Sequence, residues 1–523
     1  MRGKIAGLRL LSFATASVAA LTGCSEEMMS VLPTPAPGPA PSQSTSNFLV
    51  PELRNLDAPE VERIVAQAVA EAGTRGASAT IAVTDRVGNV LAVFVMNGAL
   101  VTTQVRDHPD GNNSGLQGLD VPATLAAISK AITGAYLSSA GNAFTSRTAS
   151  QILQEHFPPA PTTAGLESGP LFGVQISQLP CSDLNTRFAA AGPRIGPQRA
   201  PLGLSADPGG FPLYKDGFVV GGIGVVIDND YGLDDNILDV DDSIEEAVAT
   251  AGFQGFAAPE NIRAPRITVD GTALRFSDFD VNDLMAAPGS APSFASINGV
   301  MGDLVDVTAY FDGASTGGVK AGVAYGSEAS GFRPAGAAFA GPDAYFLSDG
   351  AGNNRFPPID GTDAARVAQP LTAAEVQVVL EEAFRVMEAA RGQIRQPLNS
   401  RAQVTVSVVD TNGVILGVVR GPDAPIFGTD VSLQKARTAA FFSSSVAAAD
   451  LLATPPTSLP APGVTKDPST FVQDVRDFIP DPAALTGAIA FADRSGGNLS
   501  RPFFPDGEVG TANGPLSLPI TEW

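Results

Sequence analysis

One hairpin pattern occurs twice in this chain, and that repetition limits the folds open to it more than any other feature. Residues 404–409, VTVSVV, run into Asp410-Thr-Asn-Gly413 and resume as 414–419, VILGVV. Near the start, 80–84, TIAVT, run into Asp85-Arg-Val-Gly88 and resume as 90–95, VLAVFV. Asp at the first turn position can bond the backbone ahead of it, and Gly at the fourth tolerates the exit geometry. Asp-x-x-Gly between two apolar runs therefore predicts a strand, a tight turn and a strand. The match continues on both sides, as a tandem repeat requires. Upstream, Val376, Leu380, Ala383, Phe384 and Met387 recur at helical spacing, as do Val61, Ile64, Val65, Ala68 and Ala72. Thr372-x-x-Glu375 and Asp57-x-x-Glu60 give each helix a capping-box start. Downstream, Lys435-Ala-Arg-Thr438-Ala-Ala answers Lys130-Ala-Ile-Thr133-Gly-Ala. Each copy thus reads helix, strand, strand, helix.

The correspondence persists further. Ala143-Phe144-x-x-Arg147 matches Ala490-Phe491-x-x-Arg494, His156-Phe157-Pro158 matches Phe503-Phe504-Pro505, and Gly169-Pro-Leu171 matches Gly514-Pro-Leu516. The first copy then continues into Gly209-Gly-Phe-Pro and 218–227, a closing hairpin, and a last helix near Glu245 and Glu246. The second copy ends without them. A sheet lacking its last strands leaves an unpaired edge. Tyr310-Phe-Asp-Gly313 and 317–324 echo the first copy's closing hairpin, so a circularly permuted second module is expected, with 317–324 pairing in its sheet.

The expected organisation is an export signal over 1–23, a proline-rich tether over 24–50, a first module with an insertion over 51–257, an irregular strand-rich region over 258–365, and a second module over 366–523. Arg2, Lys4 and Arg9 precede an apolar stretch too short to span a bilayer comfortably. Leu21-Thr-Gly-Cys24 follows and resembles the lipobox of bacterial lipoproteins, which implies lipidation of Cys24, cleavage before it, and, with Ser25 next, the outer membrane facing the periplasm. Alternating prolines from Pro33 to Pro41 favour extended geometry and would hold the modules off the membrane.

A formal net charge of −22 makes nucleic acid and anionic lipid surfaces poor partners. With two cysteines and two histidines in the chain, a zinc site of the usual type is not expected. Lipidated Cys24 would leave Cys181 as a free thiol. Asp228 to Asp239 lacks the bidentate acid of a calcium loop and reads as a solvated acidic loop.

The Asp-x-x-Gly hairpin followed by Lys-Ala-x-Thr resembles the HbpS/GlcG-like family, over both copies. The resemblance implies an α+β fold of two profilin-like modules, each an antiparallel sheet of about five strands between helix layers. It also implies haem or tetrapyrrole binding, with haem degradation or redox sensing in some members. Site residues implied in this way are Lys130 with Thr133 and Lys435 with Thr438, where a lysine could meet a haem propionate and the hydroxyl face the ring. His156 is the better iron ligand by chemistry. No Ser-His-Asp order, phosphate loop or Cys-His pair stands out. Three readings stand: a lipid-anchored extracytoplasmic haem-binding protein, a structural lipoprotein that assembles with itself or a protein partner without a cofactor, and, third, a small-molecule enzyme.

Overall fold

The computed structural model describes residues 52–519, apart from 108–112, 114–115, 155–168, 179–194, 238, 270–271, 342 and 459–464. Cys24 and the tether, His156 and Cys181 lie outside the described residues. No described helix is long and apolar enough to cross a membrane.

The first module opens with α1 (Ala58–Thr74), started by the capping box of Asp57 and Glu60. Strands β1 (Thr80–Asp85) and β2 (Val90–Met96) form the predicted hairpin, with Val83 opposite Ala92 and a register shift at Val83/Thr84. The turn closes as its residues dictate. Asp85 Oδ1 accepts from the amides of Val87 (3.1 Å) and Asn89 (2.9 Å), and Gly88 takes φ 85°, which a side chain would oppose. Helices α2 (Ala123–Leu137) and α3 (Ser146–Leu153) follow. Strands β3 (Gly210–Lys215) and β4 (Phe218–Val226) then form the closing hairpin, and α4 (Ile244–Gly252) packs behind it. With β5 (Gly302–Leu304) the sheet is five-stranded and antiparallel in the order β3-β4-β1-β2-β5. Its central strands β1 and β4 are buried along their whole length.

Two strands of the intervening region, β6 (Phe332–Pro334) and β7 (Tyr345–Leu347), belong to the second sheet. The second module continues with α5 (Ala373–Ala389), capped by Thr372 and Glu375, and the hairpin β8 (Thr405–Val409) and β9 (Ile415–Arg420). Val408 lies opposite Gly417, and the register shifts at Val408/Val409, the position that matches the shift in the first hairpin. Asp410 Oδ1 accepts from Asn412 and Val414 amides at 2.9 Å each, and Gly413 has φ 75°. Helix α6 (Gly428–Phe442) is 15 residues long, as α2 is. Two further helices, α7 (Ala447–Ala453) and α8 (Thr470–Phe478), precede α9 (Asp493–Leu499), which corresponds to α3. The Gly-Pro-Leu motif sits alike in both: Leu171 N bonds Ile152 O and Leu516 N bonds Leu499 O, each at 2.9 Å.

The fold is thus two α+β modules, each an antiparallel sheet with flanking helices. The expected circular permutation is not what closes the second sheet. Lys320 N bonds Leu91 O (2.8 Å) and Gly322 N bonds Leu56 O (2.9 Å), so the 317–324 segment lies on the first module. The second sheet runs β6-β7-β9-β8, with Tyr345 opposite Arg420. Its extra strands sit on the β9 side, where β5 sits on β2. The outer edge of β8, where β1 carries β4, has no strand among the described residues, and all of β8 is half-exposed. Apolar packing explains the choice: Phe346 joins Val376, Leu380, Phe384 and Val419 in one core cluster, while the glycine-rich 317–324 brings little to bury.

Candidate functional site

The two lysines on which the sequence converges have opposite surroundings. Lys130, on α2, is completely buried. Its ammonium pairs with Asp207 at 2.5 Å and with Glu245, and donates to Pro208 O at 2.8 Å. Burial alone would depress its pKa, but the two carboxylates hold it above the ordinary lysine value. Thr133 is equally enclosed, donating to Ser129 O (2.8 Å) and accepting from Ser205 N (2.7 Å). This pair is engaged in internal bonds that join α2 to the closing hairpin and to α4.

Lys435, the counterpart on α6, is exposed and forms no ion pair among the described residues. Thr438 is half-buried and faces α9, its methyl lying near Gly496. The second Lys-x-x-Thr pair therefore divides between two directions.

Lys435 stands on the rim of a cavity of about 540 Å³ between the modules. One wall is apolar and comes from the first module, through Leu137, Phe144, Ile152, Leu171 and Leu274. The other comes from the starts of β8 and α6, with Val404, Thr405, Val431 and Ser432, and from Arg391 to Arg395. Arg391 is exposed at the rim and bonds only Gln393 among the described residues. The repeat explains the space. In the first module Thr80 pairs with Val226, and a Cβ at Gly224 would stand 2.1 Å from Ala127 O and 2.8 Å from Lys130 Cβ. The matching second-module residues, Thr405, Ser432 and Lys435, line the cavity. Space that β4 fills in one copy holds no strand in the other among the described residues.

A buried ion cluster fixes the modules beside it. Asp423, fully buried, accepts from Arg86 (2.9 Å), Arg395 (2.7 Å) and the Ala140 amide (2.9 Å). Arg395 Nη1 also donates to Ser139 Oγ at 2.9 Å, and Gln396 N bonds Gly141 O at 2.8 Å. Arg86 and Asp423 are 337 positions apart. Sequence reasoning missed them, since Arg86 occupies a variable place in the first turn and Asp423 follows the second hairpin without any periodic signal.

A second concavity, about 440 Å³, is acidic and lies in the first module. The loop read as solvated lies here, but arginines engage it. Arg106 pairs with Asp230 at 2.6 Å. Arg147 is buried, 2.9 Å from Asp234, Asp241, Asp278 and Glu246. A trio that could bind a metal ion, Asp234, Asp241 and Asp278, thus already surrounds a guanidinium. Burial raises the pKa of Asp234 and Glu246, against the pull of Arg147. The repeated Ala-Phe-x-x-Arg motif was the signal for this centre; its second arginine, Arg494, is exposed.

No curated protein matches the chain. Among solved structures, similarity is found to a PduOC:heme complex, at 13% identity over 39% of this chain and 96% of that one, with a TM-score of 0.22. Klebsiella pneumoniae protein ORFY, of family DUF336, shows 15% identity over 41% of this chain and 100% of that one, with a TM-score of 0.23. Residues 378–489, from within α5 to beyond α8, match the family described as haem degrading protein HbpS-like. Over that stretch the chain is similar to the HbpS-like family.

Proposed function

We propose that the chain is a lipid-anchored extracytoplasmic binding protein for haem or a related tetrapyrrole, built from two HbpS-like modules and holding its ligand between them. The observation that carries this reading is the 540 Å³ cavity, within the range of about 300–1,000 Å³ usual for small-molecule sites. Its inner wall is hydrocarbon, and Lys435 and Arg391 stand at the rim. That arrangement suits a flat apolar ring with carboxylates at one margin: the ring leaves water against Phe144, Leu171 and Leu274, and the acids meet cations. Haem fits in its ring and propionates. His156, outside the described residues, is the iron ligand that its chemistry suggests. Anchoring rests on the lipobox resemblance at Cys24 and the proline tether.

Titration of the full chain with haem, followed in the Soret band, tests this. Saturable binding at about micromolar Kd or tighter is expected, with Phe144→Asp abolishing it and Lys435→Glu weakening it. Metal-free protoporphyrin should bind through the same wall, and His156→Ala should shift the haem spectrum while leaving protoporphyrin affinity unchanged. Absence of any saturable change with either ring would remove the proposal.

The reading as an assembly module without a cofactor is favoured by a separate observation, the open edge of β8.

A further inference from the structure

The first module shows what the second lacks at one edge of its sheet among the described residues. In the first, β4 pairs antiparallel with β1, Thr80 opposite Val226 and Thr84 opposite Gly222. Helix α2 lies directly on β4: a Cβ at Gly222 would stand 2.0 Å from Ala131 O, and one at Gly224 2.1 Å from Ala127 O. Glycine at these two positions is what lets helix and strand approach so closely. The ammonium of Lys130, on the same helix face, is neutralised by Asp207, just before β3, and by Glu245, on α4.

The second module keeps the receiving half. On α6, Ser432 and Ala436 replace Ala127 and Ala131, so the helix face is still small. On β8 the sequence is Thr405-Val-Ser-Val-Val409, without a charge or a proline. Edge strands are commonly guarded by lysine, proline or a covering element; here no strand covers the edge among the described residues. Lys435 occupies the place of Lys130 and has no carboxylate among the described residues.

We propose that the free edge of β8 receives an extended, glycine-containing strand from another polypeptide, antiparallel and beneath α6, with a flanking carboxylate that pairs with Lys435. Strand addition of this kind draws affinity from main-chain hydrogen bonds and specificity from alternate side chains. Charge selects the occupant: a strand that covers Lys435 takes it out of water and must supply the acid that buried Lys130 already has. Close helix approach demands glycine where the strand passes Ser432 and Ala436. The strand enters the cavity at Thr405 and Lys435, so it and the ring ligand exclude one another, although this proposal does not depend on the ring being bound.

The probe is a fluorescein-labelled peptide with the sequence of residues 205–227, which carries Asp207, β3 and β4, added to the full chain and followed by anisotropy. Saturable binding is expected, with Kd of about 1–50 µM. Lys435→Glu in the chain should weaken it about tenfold, as should Asp207→Lys in the peptide, and combining the two should restore most of the loss. Gly222→Val with Gly224→Val in the peptide should abolish binding. Three results overturn the proposal: no saturation up to about 100 µM peptide; binding indifferent to Lys435→Glu, as displacement of the chain's own hairpin would be; or a stable dimer lost on Val406→Pro, which would give the edge to a second copy. Peptide binding without haem binding leaves this proposal standing and removes the other. Haem binding without peptide binding does the reverse.

Discussion

Replacing Lys130 by Met and, separately, Lys435 by Met should give opposite phenotypes, although the two lysines occupy the same motif. Lys130→Met leaves Asp207 and Glu245 facing each other in a buried site. Breaking a buried ion pair by removing one partner costs about 3–5 kcal/mol, and two carboxylates lose their partner here. A module of this size should lose on the order of 10 °C in melting temperature, at roughly 2–4 °C per kcal/mol. Lys435→Met removes an exposed side chain and should change stability by less than about 0.5 kcal/mol, while weakening tetrapyrrole binding. Urea unfolding by far-ultraviolet circular dichroism, with a ligand titration on each variant, reads both effects.

The pH dependence supplies an internal check. Burial, opposed by Lys130, holds the Asp207 carboxyl well above its usual range and raises that of Glu245. Folded carboxyls with raised pKa keep their protons longer than unfolded ones, so stability falls as pH rises from about 4 through the raised values. Without Lys130 the main opposition to the rise is gone, leaving the Ile227 amide on Glu245, and the deficit of Lys130→Met should be largest at neutral pH and shrink as pH falls towards about 4. Lys130 itself, raised in the folded chain, contributes stability that is present below about 10.4 and is lost as pH rises through the folded value. A Lys130→Met variant as stable as the wild type at pH 7, or a Lys435→Met variant equally damaged, would refute this division of roles.

Asp423→Asn should destabilise by about 3 kcal/mol, since Arg86 and Arg395 then share a buried site without their anion; chemical denaturation checks this, and ligand affinity should fall with it because Arg395 lines the cavity. Cys24→Ser should leave the protein soluble in the periplasm or unprocessed. Wild-type protein found free of membranes after fractionation would defeat the lipoprotein reading.

What was legible in the sequence was local. Asp410 and Gly413 specify their turn within four residues, so the hairpins and both capping boxes could be read from spacing. The divergent fates of Lys130 and Lys435 could not, because Lys-Ala-x-Thr is the same string in both copies. Their difference is tertiary and depends on whether a strand lies against the helix face. Among the described residues no segment repeats 209–227 beside β8. Assigning 317–324 to the gap failed because glycine spacing describes a strand that a helix can approach, whereas partner choice followed burial, which Tyr345 and Phe346 supply. The cavity follows from the same logic. Its apolar wall belongs to the first module and its cationic rim to the second, so neither copy read alone contains a site. Among the described residues no closing hairpin covers this face of the second module and no carboxylate pairs with Lys435, and the neighbour's hydrophobic surface beside them makes an enclosure with one charged margin. The geometry asks of an occupant what β3, β4 and α4 supply in the first copy: bulk to fill the space, and an acid for the lysine.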